Sequence, residues 1–346
     1  MTGKERLINT LKGVATDSPP IWLMRQAGRY LPEYQAVRAQ FERFQDLYTN
    51  PKVAVQLALQ PLDRFDLDAG IVFADILTLV ESVGLPVSFE KNIGPVIHSP
   101  IRSSRDVQQL HAMSSYSDCV YESISLLKTK RPHHGLIGFA GAPWTLATYM
   151  VEGKISKDLH AIKKFKHTDP KALHALLSHL TEALIHFLKA QAHAGADLLV
   201  LFDTWGGTLS QEEYVIWSQH YIQKIIQAID PIPLFVFTKN SAHLVDHILH
   251  MQPKGMCIDW TTPLVDTYLK TNTRGICLQG NFDPSMLFGS EDAIAESVNR
   301  TVAKLPSHHH LIPSLGHGIT PHIQPDKVAY FIQSIRQAFQ THSKKN

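Results

Sequence analysis

The chain has 346 residues, 44% apolar and 18% charged, with a formal net charge of +2; that excludes a disordered chain, and it marks no nucleic-acid-binding surface, so any anion site must be local. Cys119, Cys257 and Cys277 form no CxxC pair and leave one over, and the first six residues lack a signal peptide's apolar segment, so a cytoplasmic protein is expected. The longest weakly polar stretch, Gly135 to Val151, carries Gly, Pro and Thr and is too short to cross a bilayer, so no membrane partner is expected.

In chain order, the first apolar run is Ile21–Met24. Arg25-Gln26-Ala27-Gly28-Arg29 follows at once, then Leu31-Pro32, which predicts a buried strand ending in a loop. Arg25 and Arg29 stand four apart, and Arg38 follows. Arginine beside a core wants an anion, and its planar fork suits a carboxylate or phosphate. From the residues alone, the two arginines either cap carbonyls and pair with Glu33, or form an anion cradle. The second run, Gly70–Phe73, leads into Ala74-Asp75-Ile76-Leu77. A carboxylate among apolar neighbours needs a cation or several donors, so Asp75 pairs with a group such as Arg64, caps a helix, or serves chemistry.

Leu85 to Ile101 breaks the pattern and predicts a small hairpin inserted after the second strand. The third run is Leu136–Phe139. Leu173, Leu176, Leu177, Leu180, Leu184, Phe187 and Leu188 then share one helical face, started by Thr168-Asp169-Pro170 and stopped at Gly195. Leu198–Phe202 follows, and Ser210 with Glu213 makes a capping box. Leu234–Phe237, Met256–Ile258, Ile276–Leu278 and Leu311–Pro313 complete the runs, with helix starts expected at Asp283-Pro284 and Ser290-Glu291-Asp292. His308-His309-His310 directly precedes an apolar run and predicts a loop-to-strand junction rather than a metal tract. Residues 343–346 are expected to fray.

The runs are nearly unbroken in apolarity, as strands buried on both faces should be, and helical patterns fall between them. That predicts an α/β chain with a (β/α)8 TIM barrel as a single domain over residues 1–346. A doubly wound sheet is the rival, but no Gly-rich phosphate loop follows the first strand. Just after successive runs come Arg25, Asp75, Thr204, Lys239, Asp259, Asn281 and His317. In a barrel these positions converge on the C-terminal face, where active sites sit. His317 stands between Gly316 and Gly318, which let the backbone turn and expose the ring; taken alone it is equally a satisfied loop residue.

Four strings carry a resemblance: Arg25-Gln26-Ala27-Gly28-Arg29 within Trp22 to Tyr34, Phe73-Ala74-Asp75-Ile76-Leu77, Gly141-Ala142-Pro143-Trp144-Thr145-Leu146, and Leu315-Gly316-His317-Gly318. In this order, spread over nearly the whole chain, they resemble the uroporphyrinogen decarboxylase family. The resemblance implies a homodimer with paired clefts that needs no metal or cofactor. It implies removal of the four acetate carboxyls of the tetrapyrrole uroporphyrinogen III, giving coproporphyrinogen III and CO2. On the same ground Asp75 faces the pyrrole NH groups and stabilises a protonated ring. Arg25, Arg29 and Arg38 take substrate carboxylates, with the backbone N–H groups of Gln26, Ala27 and Gly28 as further donors. Tyr149, Thr204 and His317 contact carboxylates, Tyr149 with Arg25 and Asp75 as the catalytic set. Thr204 stands where serine is usual but keeps a hydroxyl; Ser314 stands where asparagine is common, and Trp205-Gly206-Gly207 replaces a usual His/Trp-Ala-Gly.

The proton donor stays open among Arg25, Arg38 and Asp75. The rival within the superfamily is a zinc-dependent corrinoid methyltransferase, which needs a His-x-Cys motif and a distant cysteine; Gly255 and Gly275 stand two residues before Cys257 and Cys277. A non-catalytic porphyrin carrier would need the arginines but neither Asp75 nor Tyr149.

Overall fold

Along β5 (Leu198–Asp203), Leu198 and Val200 belong to one buried cluster, and Leu199 and Leu201 to another. The first cluster fills the inside of a barrel; the second lies between the strands and the surrounding helices. A strand buried on both faces has no reason to alternate in polarity, which is why the run reads as continuously apolar. The computed structural model describes residues 1–90 and 93–343. In it, β1 (Ala69–Ile71), β4 (Gly135–Gly141), β5, β6 (Leu234–Thr238), β7 (Gly255–Cys257), β8 (Cys277–Phe282) and β9 (Leu311–Leu315) are joined in that order as parallel neighbours. The remaining strands, β2 (Val87–Glu90) and β3 (Gly94–Ile97), form the expected antiparallel hairpin, with Val87 opposite Ile97. The turn residues Lys91 and Asn92 lie outside the described residues.

Seven of the eight predicted runs are therefore strands. Ile21–Met24 is a correction: it is buried, yet no strand ladder includes it, and Met24 already opens a turn. It sits in the place of an eighth strand, between β9 and β1, but side chains supply most of its partners. Ile21 N donates to Asp68 Oδ2 at 2.7 Å, and Asp68 N donates to Ile21 O at 2.8 Å. Ser314 Oγ on β9 donates to Trp22 O at 2.8 Å. With its amide turned to suit its neighbours, Gln26 accepts from Ile71 N of β1 at 3.2 Å. Asp68 itself is 2% exposed and is held by Arg6 Nη1 at 2.9 Å and Arg336 Nη2 at 2.5 Å. A buried carboxylate needs such company, and here it ties the N-terminal helix, the closing segment and the last helix together.

The other predicted boundaries follow from capping. The helix Pro170–Ala194 starts where Asp169 accepts from Ala172 N and ends at Gly195, with φ 121°. Ser210 and Glu213 form the capping box of Gln211–Tyr214, which runs through a π turn into His220–Ile229. Asp283 caps the 3-10 turn Pro284–Phe288, and Ser290 caps Glu291–Val302. The last helix is Pro325–Ser343, and of the tail expected at 343–346 the residues 344–346 lie outside the described residues. No helix among the described residues is long and apolar enough to cross a membrane.

The hairpin is anchored beside the barrel mouth. Val96 bridges to Lys154, and Ile97 N donates to Gly153 O. Gly153 is the C-cap of the helix Pro143–Glu152, which carries Tyr149.

Candidate active site

The loops after β1, β5, β6 and β9 and the segment after Met24 meet at one end of the barrel. Gly318 shows how closely: a Cβ placed there would lie 2.6 Å from Arg25 Cβ and 3.3 Å from its Nε, so only glycine lets the Arg25 side chain lie along this loop. Arg25 and Arg29 are exposed and have no carboxylate within 4.0 Å among the described residues. Glu33 pairs instead with Arg64 at 2.7 and 3.0 Å. That single ion pair removes Glu33 from the arginines and Arg64 from Asp75.

The three arginines lie around Tyr34. Burial raises its phenol pKa, and the charges of Arg38, Arg29 and Arg25 act against the rise. Arg38 is the least free of them, since its guanidinium donates to the carbonyls of Phe41 and, at 3.3 Å, Glu42. Gln26 is buried, and its carbonyl accepts from Tyr30 Oη at 2.6 Å. The N–H groups of Gln26, Ala27 and Gly28 have no acceptor among the described residues. Consecutive open N–H groups beside two open guanidiniums offer donors and positive charge of the kind that suits an anion.

Asp75 follows β1 and is only partly buried. Its Oδ1 accepts from Leu77 N at 2.9 Å in the turn before the helix Thr78–Ser82, whose N-cap is Leu77, so Asp75 is not the helix cap; Oδ2 has no hydrogen-bond partner among the described residues. Burial pushes its pKa up, while the Leu77 bond and the charge of Arg25 pull it down. Arg25 is thus near enough to be felt without being ion-paired. Tyr149 faces the same charges: burial first and then Asp75 raise its pKa, and Arg25 opposes them. Its ring meets Trp205 edge-on at 6.2 Å. A phenol held protonated beside a carboxylate and an arginine is a hydrogen-bond donor waiting for an acceptor.

Thr204 is half-buried between Asp203 and Trp205, and its hydroxyl has no partner among the described residues. His317 packs edge-on against Phe237 at 6.0 Å. Its pKa is lowered to about 4, by burial first and then by the charges of Arg25 and Lys239, with Asp259 opposing. The ring is therefore neutral near pH 7. Between the ordinary value of 6.5 and about 4 the unfolded chain binds the extra proton. Stability from this group is thus present above about pH 6.5 and lost as the pH falls toward 4. His317→Gln is expected to flatten the fall in denaturation midpoint over that interval; an unchanged slope would show that His317 does not titrate as described.

The charge of Arg25 thus reaches Asp75, Tyr149 and His317, that of Asp75 reaches Tyr149, and Trp205, next to Thr204, packs against Tyr149. Arg29 and the loop N–H groups line the same segment, and Arg38 stands at its edge as a brace. Of the other polar residues expected on this face, Asn281 is structural, donating to Asp259 O at 3.0 Å and Thr262 O at 2.6 Å. Asp259 is buried and accepts from Asn240 N and, at 3.0 and 2.6 Å, from Thr261 N and Oγ1. Lys239 is a cation near His317 that the sequence signalled only by its place after β6. Trp205 also stands at this face, and its signal in the sequence is its position directly after Thr204.

Among the described residues no group of three or more His, Cys, Asp or Glu side chains is placed to hold a metal ion. Cys257 and Cys277 are buried inside the barrel, where burial raises their thiol pKa values.

A family model described as uroporphyrinogen decarboxylase (URO-D) matches residues 2–338. The chain is 40% identical over 342 residues to a uroporphyrinogen decarboxylase of Hahella chejuensis, covering 96% of each chain. It is 40% identical over 341 residues to one of Francisella philomiragia, covering 96% of this chain and 99% of the relative. Among solved structures, a methyltransferase from Methanosarcina mazei shares the fold, with a TM-score of 0.81 at 18% identity over 97% of this chain and 99% of the other.

Proposed function

The chain belongs to the uroporphyrinogen decarboxylase family and is a carboxy-lyase of porphyrin biosynthesis, and from that premise we propose how its own residues carry the reaction. The observation that carries the proposal is Asp75, with one oxygen unpartnered, set beside an Arg25 that has no carboxylate of its own.

The substrate, uroporphyrinogen III, brings eight carboxylates and four pyrrole rings. Arg25, Arg29 and the N–H groups of Gln26, Ala27 and Gly28 orient the reacting acetate, with Tyr149, Thr204 and His317 donating to others. Arg38 contributes charge from the edge of the cradle while bracing the loop. Decarboxylation needs a place for the electrons of the breaking C–CO2 bond. A proton added to the pyrrole α-carbon makes a cationic ring that accepts them, and the free oxygen of Asp75 stabilises that cation. After CO2 leaves, the exocyclic carbon takes up a proton and the α-carbon loses one, leaving a methyl group. The sink for the electrons is the substrate itself, so the step asks for no cofactor. A neutral His317 donates one hydrogen bond without competing for the charge. The proposal includes a cytoplasmic homodimer; the three free cysteines support the reducing setting.

The test is anaerobic incubation of the purified chain with uroporphyrinogen after dialysis against a strong chelator. Products with seven, six, five and four carboxyls should appear in turn. Activity lost on chelation and restored by zinc would instead favour the methyltransferase-like chemistry. Loss of the acetate series altogether, with tight porphyrinogen binding retained, would favour the carrier.

Thr204 gives a narrower test. Valine keeps its shape and deletes the hydroxyl, so Thr204→Val should lose roughly tenfold in kcat/KM, the worth of one hydrogen bond of about 1–1.5 kcal/mol. Thr204→Ser should retain most of it. A valine variant as active as the parent would take Thr204 out of the cleft.

A further inference from the structure

Asp203 ends β5 inside the protein, at 0% exposure, and takes no part in the chemistry described above. Its Oδ1 accepts from Thr145 Oγ1 at 3.0 Å and its Oδ2 from Ser218 Oγ at 2.6 Å. No cation lies within 4.0 Å of it among the described residues. Burial pushes its pKa up to about 6, and the two hydroxyls oppose this. A buried carboxylate without a cation is costly compared with an apolar side chain of similar size, so its presence calls for an account beyond packing.

The account lies in what Thr145 does with its other side. Thr145 Oγ1 accepts from Trp205 N at 3.1 Å, and Trp144 Nε1 donates to Trp205 O at 3.2 Å. Consecutive residues of one helix thus hold Trp205 by both its N–H and its carbonyl. Gly206 lets the loop fold back, since a Cβ there would overlap Asp203 Oδ2. Tyr149 is one helical turn beyond Thr145 and meets the Trp205 ring. The Gly141-to-Leu146 string is therefore built as a clamp on the β5 loop: its Trp and Thr reach Trp205, not the open cleft.

We infer that Asp203 is a positioning residue for the decarboxylation, acting through Thr145 to fix the backbone between Thr204 and Trp205 and so to hold the Thr204 hydroxyl and the Trp205 indole in register with Tyr149. This rests on the reading of Thr204 and Tyr149 as cleft residues. Small misplacements of groups that orient a substrate cost rate, about a hundredfold for roughly 1 Å, whereas a purely structural bond costs stability.

The experiment is a double-mutant cycle in the full chain, with anaerobic turnover giving kcat and KM and a thermal midpoint recorded for every variant. Thr145→Val, which can neither donate to Asp203 nor accept from Trp205, should lower kcat about tenfold. Thr145→Ser, which can do both, should bring it back to within about twofold of the parent. With Thr204→Val already present, the effect of Thr145→Val should shrink, because both act through the same hydroxyl. If the valine variant does not fold, Thr145→Ala enters the same cycle. Full additivity with Thr204→Val, or a lowered midpoint with unchanged kcat in the folded fraction, would overturn the inference while leaving the cleft reading in place. A Thr204→Val variant that is silent alone would sink the cleft reading and the inference with it.

Discussion

Asp75→Asn should bind substrate almost as the parent does and turn it over roughly a hundred- to a thousandfold more slowly, the cost of about 2.7–4 kcal/mol that follows removal of one preorganised electrostatic element. The substitution is clean in structural terms. Asn keeps an Oδ1 acceptor for Leu77 N, so the start of the helix Thr78–Ser82 should survive. What it removes is the negative charge beside Arg25 and Tyr149. In the proposed mechanism substrate carboxylates dock on the arginines and the ring cation exists only after protonation, so the loss should fall on kcat rather than on binding. Single-turnover measurements on folded Asp75→Asn protein decide the matter. A variant that decarboxylates at the parent rate would mean that Asp75 orients the ring and does no more, and the cation-stabilising mechanism would have to be given up.

Arg29→Ala should show the opposite split. The guanidinium is exposed and has no carboxylate within 4.0 Å among the described residues, so its removal leaves no buried partner stranded and the thermal midpoint should hold. A hydrogen bond to a charged group is worth about 1.5–3 kcal/mol, so affinity for uroporphyrinogen should fall about ten- to a hundredfold. A variant that unfolds, with unchanged affinity in its folded fraction, would make Arg29 a structural residue.

The place of several candidate residues was legible because of one geometric rule, while their roles, and Tyr149 altogether, were legible only through the family resemblance. In a parallel barrel every strand ends on the same face, so a polar residue that follows an apolar run is carried to the mouth whatever its distance along the chain. Arg25, Asp75, Thr204, Lys239 and His317 all lie on loops that meet there. The rule does not separate side chains left open at the mouth from those that brace it. Asn281 and Asp259 obey it and yet brace loops, because their partners at Thr262, Asn240 and Thr261 are set by how neighbouring loops fold. Arg38 shows the same limit: its spacing matched, but only the fold turns its guanidinium onto the carbonyls of Phe41 and Glu42.

By itself the sequence determined the seven laddered strands, the hairpin, the capped starts at Asp169, Ser210, Asp283 and Ser290, and the loops at the barrel mouth. These are written locally, in burial on both faces of a run and in side chains that satisfy donors a few residues away. The tertiary structure alone decided the rest. Ile21–Met24 reads as a strand but closes the barrel without a ladder, since Asp68, Ser314 and Gln26 supply side-chain atoms where a strand would supply its backbone. Glu33 goes to Arg64 and leaves the arginines open, and Asp203 meets Thr145 and Ser218. Periodicity records that a group is buried; which group it meets depends on elements brought together from far along the chain, and that choice sets each charge and each free hydrogen-bonding atom in the site.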